Sequence, residues 1–303
     1  MALREHPSRF SPNRMSAEFL DQVFVQRRPL LQRILACLQD DAQSRHRHQF
    51  LLIGPRGIGK THMVSLLFHK TDELAARRND VRIAWLLEDE TSTSFLDLLV
   101  RIWTSLMVKH PGEYAGDVLD DARSRSRRDA QRLLESALKS RLQGKLLVVF
   151  VENLNELFKN IGQAGQHDFR AFLQESQAVS VVATAQQLSA DVTNRKSPFF
   201  GFFDIEPLAP LDEHAGIELL RRIATLQENH DLVAFLDSPE GPRRVAAILH
   251  LTGGNHRVFI ILAEFLDRRS LDELVPPFER LLDELTPYYQ SRIAWLSAQQ
   301  RKI

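Results

Sequence analysis

The chain contains one cysteine among its 303 residues, Cys37, which excludes an internal disulfide and any metal site built from several thiolates. It also lacks net charge, because 39 basic residues balance 39 acidic ones, so no overall field favours nucleic acid or membrane as a partner. The longest apolar runs, residues 146–151 and 258–266, are far shorter than the roughly 20 residues that span a bilayer. The N-terminal sequence has no apolar stretch typical of a signal peptide. We therefore expect a cytoplasmic protein without a membrane partner.

Short apolar runs alternate with longer helical patterns, and this alternation predicts an α/β fold with a parallel sheet covered by helices. After residue 207 the strand-like runs stop, and helix-period patterns predict a second, all-helical module. The predicted strands are residues 50–53, 82–87, 146–151, 179–183 and 202–205. The predicted helices are residues 60–69, 94–107, 127–140 and 167–175, followed in the second module by 212–227, 232–236, 242–251, 256–266 and 271–285.

One motif carries most of the chemical information. Residues 54–61 read GPRGIGKT, which satisfies G-x-x-x-x-G-K-[ST] in full, between a predicted strand and a predicted helix. The glycines allow successive N–H groups to converge on phosphate oxygens, and the helix offers its positive end to the same charge. We expect Lys60 to bridge the β- and γ-phosphates of ATP and the Thr61 hydroxyl to hold Mg²⁺.

A nucleoside triphosphatase of this kind needs a second apolar strand that ends in acid. The candidate is LLVVFVENLNELF, residues 146–158. Glu152 stands where an aspartate usually serves the metal, and Asn153 stands where a catalytic glutamate is often found. Either Glu152 serves the metal and Glu156 supplies the base, or hydrolysis is slow or lost and the site mainly binds nucleotide. A plainer interpretation is that Glu152 only ends a strand.

With these motifs the chain resembles the AAA+ and STAND group of P-loop ATPases, most closely its origin-recognition-type branch, from about residue 24 to residue 303. FVQRRPLLQRIL, residues 24–35, is similar to the segment that cups adenine in this group. ENLNE, residues 152–156, resembles the extended acidic motif of STAND ATPases, with Asn155 replacing an aspartate. The nucleotide-binding residues that the motif and the resemblance imply are Val25, Arg27, Gly54, Pro55, Arg56, Gly57, Ile58, Gly59, Lys60, Thr61 and His62.

The resemblance extends to the residues that sense the γ-phosphate. VSVVATAQQL, residues 179–188, resembles the sensor-1 strand, and GGNHRV, residues 253–258, resembles sensor 2 in the lid. Arg195, with Lys196, lies where an arginine finger for a neighbouring subunit is expected. Each has a plainer interpretation as an ordinary strand, helix or loop residue. The implied catalytic set is Lys60, Glu152, Glu156, Thr184, Arg257 and Arg195, with Thr61 and Glu152 at the metal.

The resemblance divides the chain into an N-terminal extension (1–23), a P-loop core (24–208), a helical lid (209–286) and a final segment (287–303). That final segment resembles a linker and the first helix of a winged-helix domain, so we expect the chain to be part of a longer protein. The expected function is an ATP-driven switch with slow hydrolysis that assembles with its own copies and a protein partner. The alternatives are a DNA-associated regulator of transposition or replication, and a hydrolysis-deficient scaffold. The arginine run at 123–132 either neutralises nucleic-acid phosphates or pairs with nearby acids.

Overall fold

The computed structural model of the protein describes residue 12, residues 15–86 and residues 92–263. The predicted helix at 271–285 and the predicted winged-helix start within 287–303 lie outside the described residues. The chain forms two compact units, of which the first ends at Ala209 and the second begins at Pro210. Among the helices described, none is both long and apolar enough to cross a lipid bilayer.

The first unit is built on a five-stranded parallel sheet in the order β2-β3-β4-β1-β5. The strands are β1 (Gln49–Ile53), β2 (Val81–Leu86), β3 (Leu146–Val151), β4 (Val179–Ala185) and β5 (Asp204–Pro207). The helices of this unit are α1 (Ala17–Gln22), α2 (Arg28–Asp41), α3 (Lys60–Arg77), α4 (Phe95–Lys109), α5 (Asp117–Arg123), α6 (Arg127–Arg141), α7 (Leu154–Ser176) and α8 (Ala190–Thr193).

The sheet is covered on both faces, which explains why its strands are apolar without alternation. Side chains of one strand alternate between two separate cores, as Phe50 and Leu52 belong to one cluster and Leu51 to the other. Helices α2 and α3 contribute to the first cluster, and α4, α6 and α7 to the second. The predicted fold class, a P-loop-type parallel sheet followed by a helical region, is confirmed.

Several element boundaries differ from the sequence expectation, and helix α3, for example, ends at Arg77 rather than at residue 69. Strand β5 begins at Asp204 rather than at residue 202, because Phe202 and Phe203 pack against the buried ring of Phe199, with centroids 5.3 and 5.7 Å away. Helix α7 starts 13 residues before the predicted helix at 167–175, and its two halves meet at Gly162, whose φ of 64° interrupts the helical backbone. Phe199 and Phe203 therefore belong to the core and Phe202 packs against it, whereas Phe200 is exposed.

Helix α1 belongs to the packed first unit, although the sequence interpretation placed residues 1–23 in an extension. Leu20 is 1% exposed and lies in the same core cluster as α3, and Ser16 caps the helix by accepting from the Phe19 N–H at 3.2 Å. The packing of this helix argues for a core that begins before residue 24.

The second unit is helical over its described part. Its helices are α9 (Glu213–Leu226), α10 (His230–Leu236), α11 (Gly241–Thr252) and α12 (His256–Ala263). Asp212 caps α9 by accepting from the Ala215 N–H at 2.8 Å, and Gly253 ends α11 in the left-handed conformation, with φ 57°. Polar caps and glycine stops thus set the bounds that the sequence patterns indicated.

Candidate active site

The candidate site lies at the carboxyl ends of the central strands. Strand β1 lies between β4 and β5, and the chain leaves β1 for β2 at the far edge of the sheet, so the order of connections reverses beside β1. Crevices at such switch points are the usual ligand sites of open parallel sheets. The GPRGIGKT loop follows β1 directly and leads into α3.

The loop has the backbone that its glycines predict. Gly57 and Gly59 adopt φ of 84° and 93°, values that L side chains rarely tolerate. Gly54 is required for a different reason, because a Cβ there would lie 2.9 Å from Ile58 Cγ2. Gly59 is the N-cap of α3 and has no side chain, so the first amides of that helix receive no side-chain cap. Those amides are the donors an anion would use.

Lys60 lies on the first turn of α3 and folds back over the loop. Its Nζ donates to the carbonyl oxygens of Gly54 at 2.6 Å and Pro55 at 3.0 Å. Neutral carbonyls are weaker partners for an ammonium group than phosphate oxygens are. A triphosphate in the loop would therefore compete well for this cation.

Thr61 and Glu152 meet across the site, as the metal prediction requires. The Thr61 hydroxyl donates to Glu152 Oε2 at 3.0 Å, and the Glu152 side chain is buried, with 6% of the residue exposed. A hydroxyl beside a carboxylate suits Mg²⁺, which prefers oxygen ligands and keeps several waters or phosphate oxygens in its shell. Within the described residues, no cluster of three or more His, Cys, Asp or Glu could hold a metal by itself. The donor set fits a magnesium ion that arrives with a nucleotide.

Beyond Glu152, the acidic segment is tied to β4 and to the loop after it. The Asn153 N–H donates to Thr184 Oγ1 at 3.1 Å, and Asn155 Nδ2 donates to the Gln187 carbonyl at 2.9 Å. Asn153 is left-handed, with φ 62°, a conformation in which asparagine is much more common than most residues. Sequence reasoning missed the Asn155 contact, since its partner is a backbone carbonyl that no motif marks.

Glu156, the alternative base, lies in the first turn of α7. Its carboxylate is about half exposed and lies 3.6 Å from the Lys159 Nζ, one helical turn away. A base that activates water must lie within hydrogen-bond reach of that water, directly or through one further water. The role of Glu156 as the base stays a prediction.

Arg27 contacts the loop, and both it and Val25 are buried. Val25 is 4% exposed and Arg27 is 7% exposed, and the Arg27 guanidinium donates to the Ile58 carbonyl at 2.7 Å and to the Ala209 carbonyl. Burial lowers the pKa of Arg27 to about 10, which leaves it cationic at neutral pH. A role for these two residues around adenine remains a prediction.

His62 follows the loop and faces α1. Its Nε2 donates to the Leu20 carbonyl at 2.9 Å, and its ring meets Phe24 edge to face, with centroids 5.3 Å apart. Burial lowers the pKa of His62 to about 4, and the Arg27 charge adds to this effect against the Leu20 hydrogen bond. His62 is thus neutral at pH 7, and it fixes α1 to the helix that follows the loop.

The remaining predicted residues lie elsewhere in the two units. Arg257 is in the first turn of α12, which Asn255 caps by accepting from the Val258 N–H at 3.3 Å. Arg195 is exposed in the turn after α8, beside Lys196. In the arginine run, Arg123 and Arg125 pair with Asp120 and Asp121 at 2.8 and 2.9 Å.

Comparison with known proteins identifies this architecture. No protein-family model matches the chain, and no characterised protein matches it by sequence. Its fold is similar to that of a Walker-type ATPase of Pyrococcus abyssi, with a TM-score of 0.59, 14% identity and coverage of 89% of this chain and 75% of that one. It is also similar to the Aeropyrum pernix ORC1 protein, solved in complex with DNA, with a TM-score of 0.57, 15% identity and coverage of 98% and 75%. Drosophila ORC bound to DNA gives a TM-score of 0.58, 14% identity and coverage of 99% and 73%.

Proposed function

Since this chain has the fold of AAA+ P-loop ATPases, with the origin-recognition branch among its structural neighbours, we propose that it is an ATP-binding molecular switch with slow ATP hydrolysis. The observation that carries the proposal is the contact between Thr61 and Glu152, 3.0 Å apart, beside a complete phosphate loop. Two motifs separated by 91 residues along the chain meet where one Mg·ATP would need both.

In this proposal, each part of the site has one task. The amides between Gly57 and Thr61 bind the phosphates, and Lys60 exchanges its carbonyl partners for phosphate oxygens. A bound Mg²⁺ would supply charge neutralisation to the phosphates. Glu152 and Thr61 orient its shell through their oxygens.

Hydrolysis is proposed to be slow because of Asn153. An amide at this position can orient a water through a hydrogen bond, but at neutral pH it does not accept the water's proton. The Glu156 carboxylate is a full helical turn farther along α7 and lies beside Lys159. The nucleotide would therefore remain bound long enough to act as a signal.

The test is nucleotide binding by the wild type and by Lys60→Ala, measured by titration with a fluorescent ATP analogue in the presence of Mg²⁺. We expect Lys60→Ala to weaken binding by about a hundredfold, because it removes a charge-assisted contact with two phosphates. Lys139→Ala is the matched control. Lys139 lies on α6, outside the phosphate loop, and its Nζ pairs with the Glu175 carboxylate at 2.7 Å. Equal affinities for the wild type and Lys60→Ala would end the proposal.

The scaffold alternative is favoured by the same asparagine, and a phosphate-release assay separates the two. Measurable turnover in the wild type that is lost in Glu152→Gln or Glu156→Gln would exclude a silent scaffold. No turnover in any of the three, with Mg·ATP binding intact in the wild type, would establish the scaffold. The second outcome would leave the nucleotide site in place and remove only its hydrolysis.

Self-association and DNA binding are further parts of the proposal. The exposed Arg195 suits contact with a neighbouring copy, and sedimentation with and without Mg·ATP tests this, with Arg195→Ala as the variant. The DNA alternative draws on the DNA-bound neighbours and on Arg127, Arg128 and Arg132, which are exposed on α6. Absence of ATP-dependent retention on duplex DNA at low salt would remove it.

A further inference from the structure

We propose that Arg27 is a positioning residue that couples the phosphate-binding loop to the segment by which the chain leaves the first unit, residues 208–211. The proposal rests on nucleotide binding at the loop and adds to it a route for the signal. It assigns Arg27 a task other than contact with adenine.

The first step is the geometry of the guanidinium. One Arg27 nitrogen, Nη1, donates to the Ile58 carbonyl at 2.7 Å, and the other, Nη2, donates to the Ala209 carbonyl. A guanidinium is a rigid planar fork, so it fixes the two carbonyls relative to each other. Arg27 as a whole residue is 7% exposed and its bond to the Ile58 carbonyl is buried, so water competes little for that bond.

The second step concerns the peptide group that Arg27 holds. The Ile58 carbonyl belongs to the same planar peptide unit as the Gly59 N–H, and the described peptide bonds are all trans. In a trans peptide the C=O and N–H point in opposite directions, so a fixed carbonyl also fixes the amide. A hydrogen bond from a cation polarises the peptide and strengthens its N–H as a donor. Arg27 thus holds and polarises one of the amides predicted to bind phosphate.

The third step is the path of the chain after β5. The Leu208 N–H donates to the Ile53 carbonyl at 2.8 Å, directly before the loop, and Ala209 is held by Arg27. Leu208 is therefore bonded to the residue just before the phosphate-binding loop, and Ala209 is linked through Arg27 to Ile58 within the loop. Any shift of the Ile58–Gly59 peptide on phosphate binding would be felt by Ala209 through a single side chain.

The fourth step lies in the second unit, where the next residues are clamped in turn. The Leu211 N–H donates to the Gly254 carbonyl at 2.9 Å, and a Cβ on Gly254 would lie 2.6 Å from the Leu211 oxygen. Gly254 precedes Asn255, the cap of α12, and Arg257 follows in the first turn of that helix. A single residue, Pro210, lies between the two clamped residues Ala209 and Leu211, so a displacement of Ala209 is passed on covalently.

The charge of Arg27 supports the same role. Within the described residues no carboxylate pairs with this buried cation, and its two partners are both carbonyls. An uncompensated buried charge is costly, and an anion nearby reduces that cost. Phosphate at the loop would stabilise Arg27 in its present position and tighten both of its hydrogen bonds.

The test uses hydrogen exchange of the intact chain, with and without Mg·ATP, in the wild type, Arg27→Lys and Arg27→Gln. In the wild type we expect Mg·ATP to slow exchange in two segments, residues 54–61 and residues 254–259. Lysine keeps the charge but lacks the planar fork, so Arg27→Lys should keep the protection at 54–61 and lose it at 254–259. Arg27→Gln should in addition bind Mg·ATP about tenfold more weakly, since it loses the charge.

Arg33→Gln is the matched control, because Arg33 lies on the same helix and pairs with Glu206 at 2.5 Å, with half of its side chain exposed. It should behave as the wild type in both segments. Protection at 254–259 that persists in Arg27→Lys, or that is missing from a wild type protected at 54–61, would overturn the coupling while nucleotide binding stands. A wild type without protection at 54–61 would overturn the nucleotide site itself, and with it this proposal.

Discussion

The two ends of the parallel sheet place charged groups in opposite situations. At the amino end, Asp41 is fully buried and accepts from the His48 N–H at 2.9 Å, from His48 Nδ1 at 2.7 Å and from the Ser180 hydroxyl at 2.6 Å. At the carboxyl end, Lys60 bonds to carbonyls of its own loop, and Glu152 accepts from the hydroxyl of Thr61. The amino end is completed by the protein itself, whereas the carboxyl end holds groups that suit a phosphate and a metal.

This difference suggests that charged groups at the amino end of the sheet contribute mainly to stability and those at the carboxyl end mainly to function. A buried carboxylate that accepts several hydrogen bonds contributes to folding, because its protein donors are buried with it and have no other acceptor in the folded state. A hydrogen bond from a cation to a neutral carbonyl is weaker than one to a phosphate oxygen, so we expect Lys60 to contribute more to anion binding than to folding. Substitutions at the two ends should therefore affect different measurements.

The largest expected effect is on stability, from Asp41→Ala. Removing this carboxylate leaves the three donors of His48 and Ser180 without their acceptor, and we expect the free energy of unfolding to fall by about 3–4 kcal/mol. Mg·ATP affinity, measured below the unfolding temperature, should stay within about twofold of wild type, since Asp41 lies at the opposite end of the sheet. Urea unfolding and nucleotide titration provide both numbers.

Asp40→Ala is the control, because Asp40 is the exposed neighbour on the same helix and should change neither measurement. A loss of nucleotide affinity in Asp41→Ala without a loss of stability would contradict the distinction between the two ends.

The next effect is on function, from Glu152→Gln. The amide retains an oxygen that can accept from Thr61, so stability should change by less than about 1 kcal/mol. The charge that orients the magnesium shell is lost, and we expect the enhancement of ATP affinity by Mg²⁺ to fall between about 10- and 100-fold. Titration with and without Mg²⁺ measures this, and Glu156→Gln is the control. An unchanged magnesium dependence would show that Glu152 only ends the strand.

His62 lies at the carboxyl end of the sheet but is hydrogen-bonded within the protein, so it tests whether such a group contributes to stability as Asp41 does at the amino end. Its pKa is about 4 in the fold and about 6.5 in the unfolded chain, so the unfolded chain binds more protons between these values. The stability it contributes is therefore present above pH 6.5 and is lost as the pH falls towards 4, by about 1–2 kcal/mol at pH 5. Urea unfolding at pH 7 and pH 5 should show a smaller loss for His62→Gln than for wild type. An equal loss in both proteins would mean that other groups dominate.

Sequence patterns predicted the elements that follow local rules. The phosphate loop and its place between β1 and α3 follow from glycine stereochemistry and from one lysine. The acid at the end of β3 follows from an apolar run that stops at Glu152. These features depend on residues that are neighbours in the chain.

The features that were missed depend on partners that are far apart or on the backbone. Nothing in the sequence around Arg27 indicates that its guanidinium bonds to the carbonyl of Ala209, since the partner is a backbone group 182 residues away along the chain. The first half of α7 was missed because Gly162 interrupts its pattern, and the start of β5 was misplaced because two phenylalanines that suit a strand pack into the aromatic core instead. At β5, tertiary packing overrides propensity.

The smallest expected effect comes from Asn153→Glu, which would place a carboxylate at the position after Glu152. A glutamate there supplies a proton acceptor, and general-base catalysis contributes 100-fold or more where the geometry is optimal. Because φ of 62° at this position suits asparagine better than glutamate, we expect a gain in phosphate release of only about tenfold and a loss of stability of about 1 kcal/mol. Asn153→Gln shares the size and the backbone strain of the glutamate variant but offers no base. If both variants release phosphate at the same rate, the amide does not limit turnover, and the slow step lies in another part of the cycle.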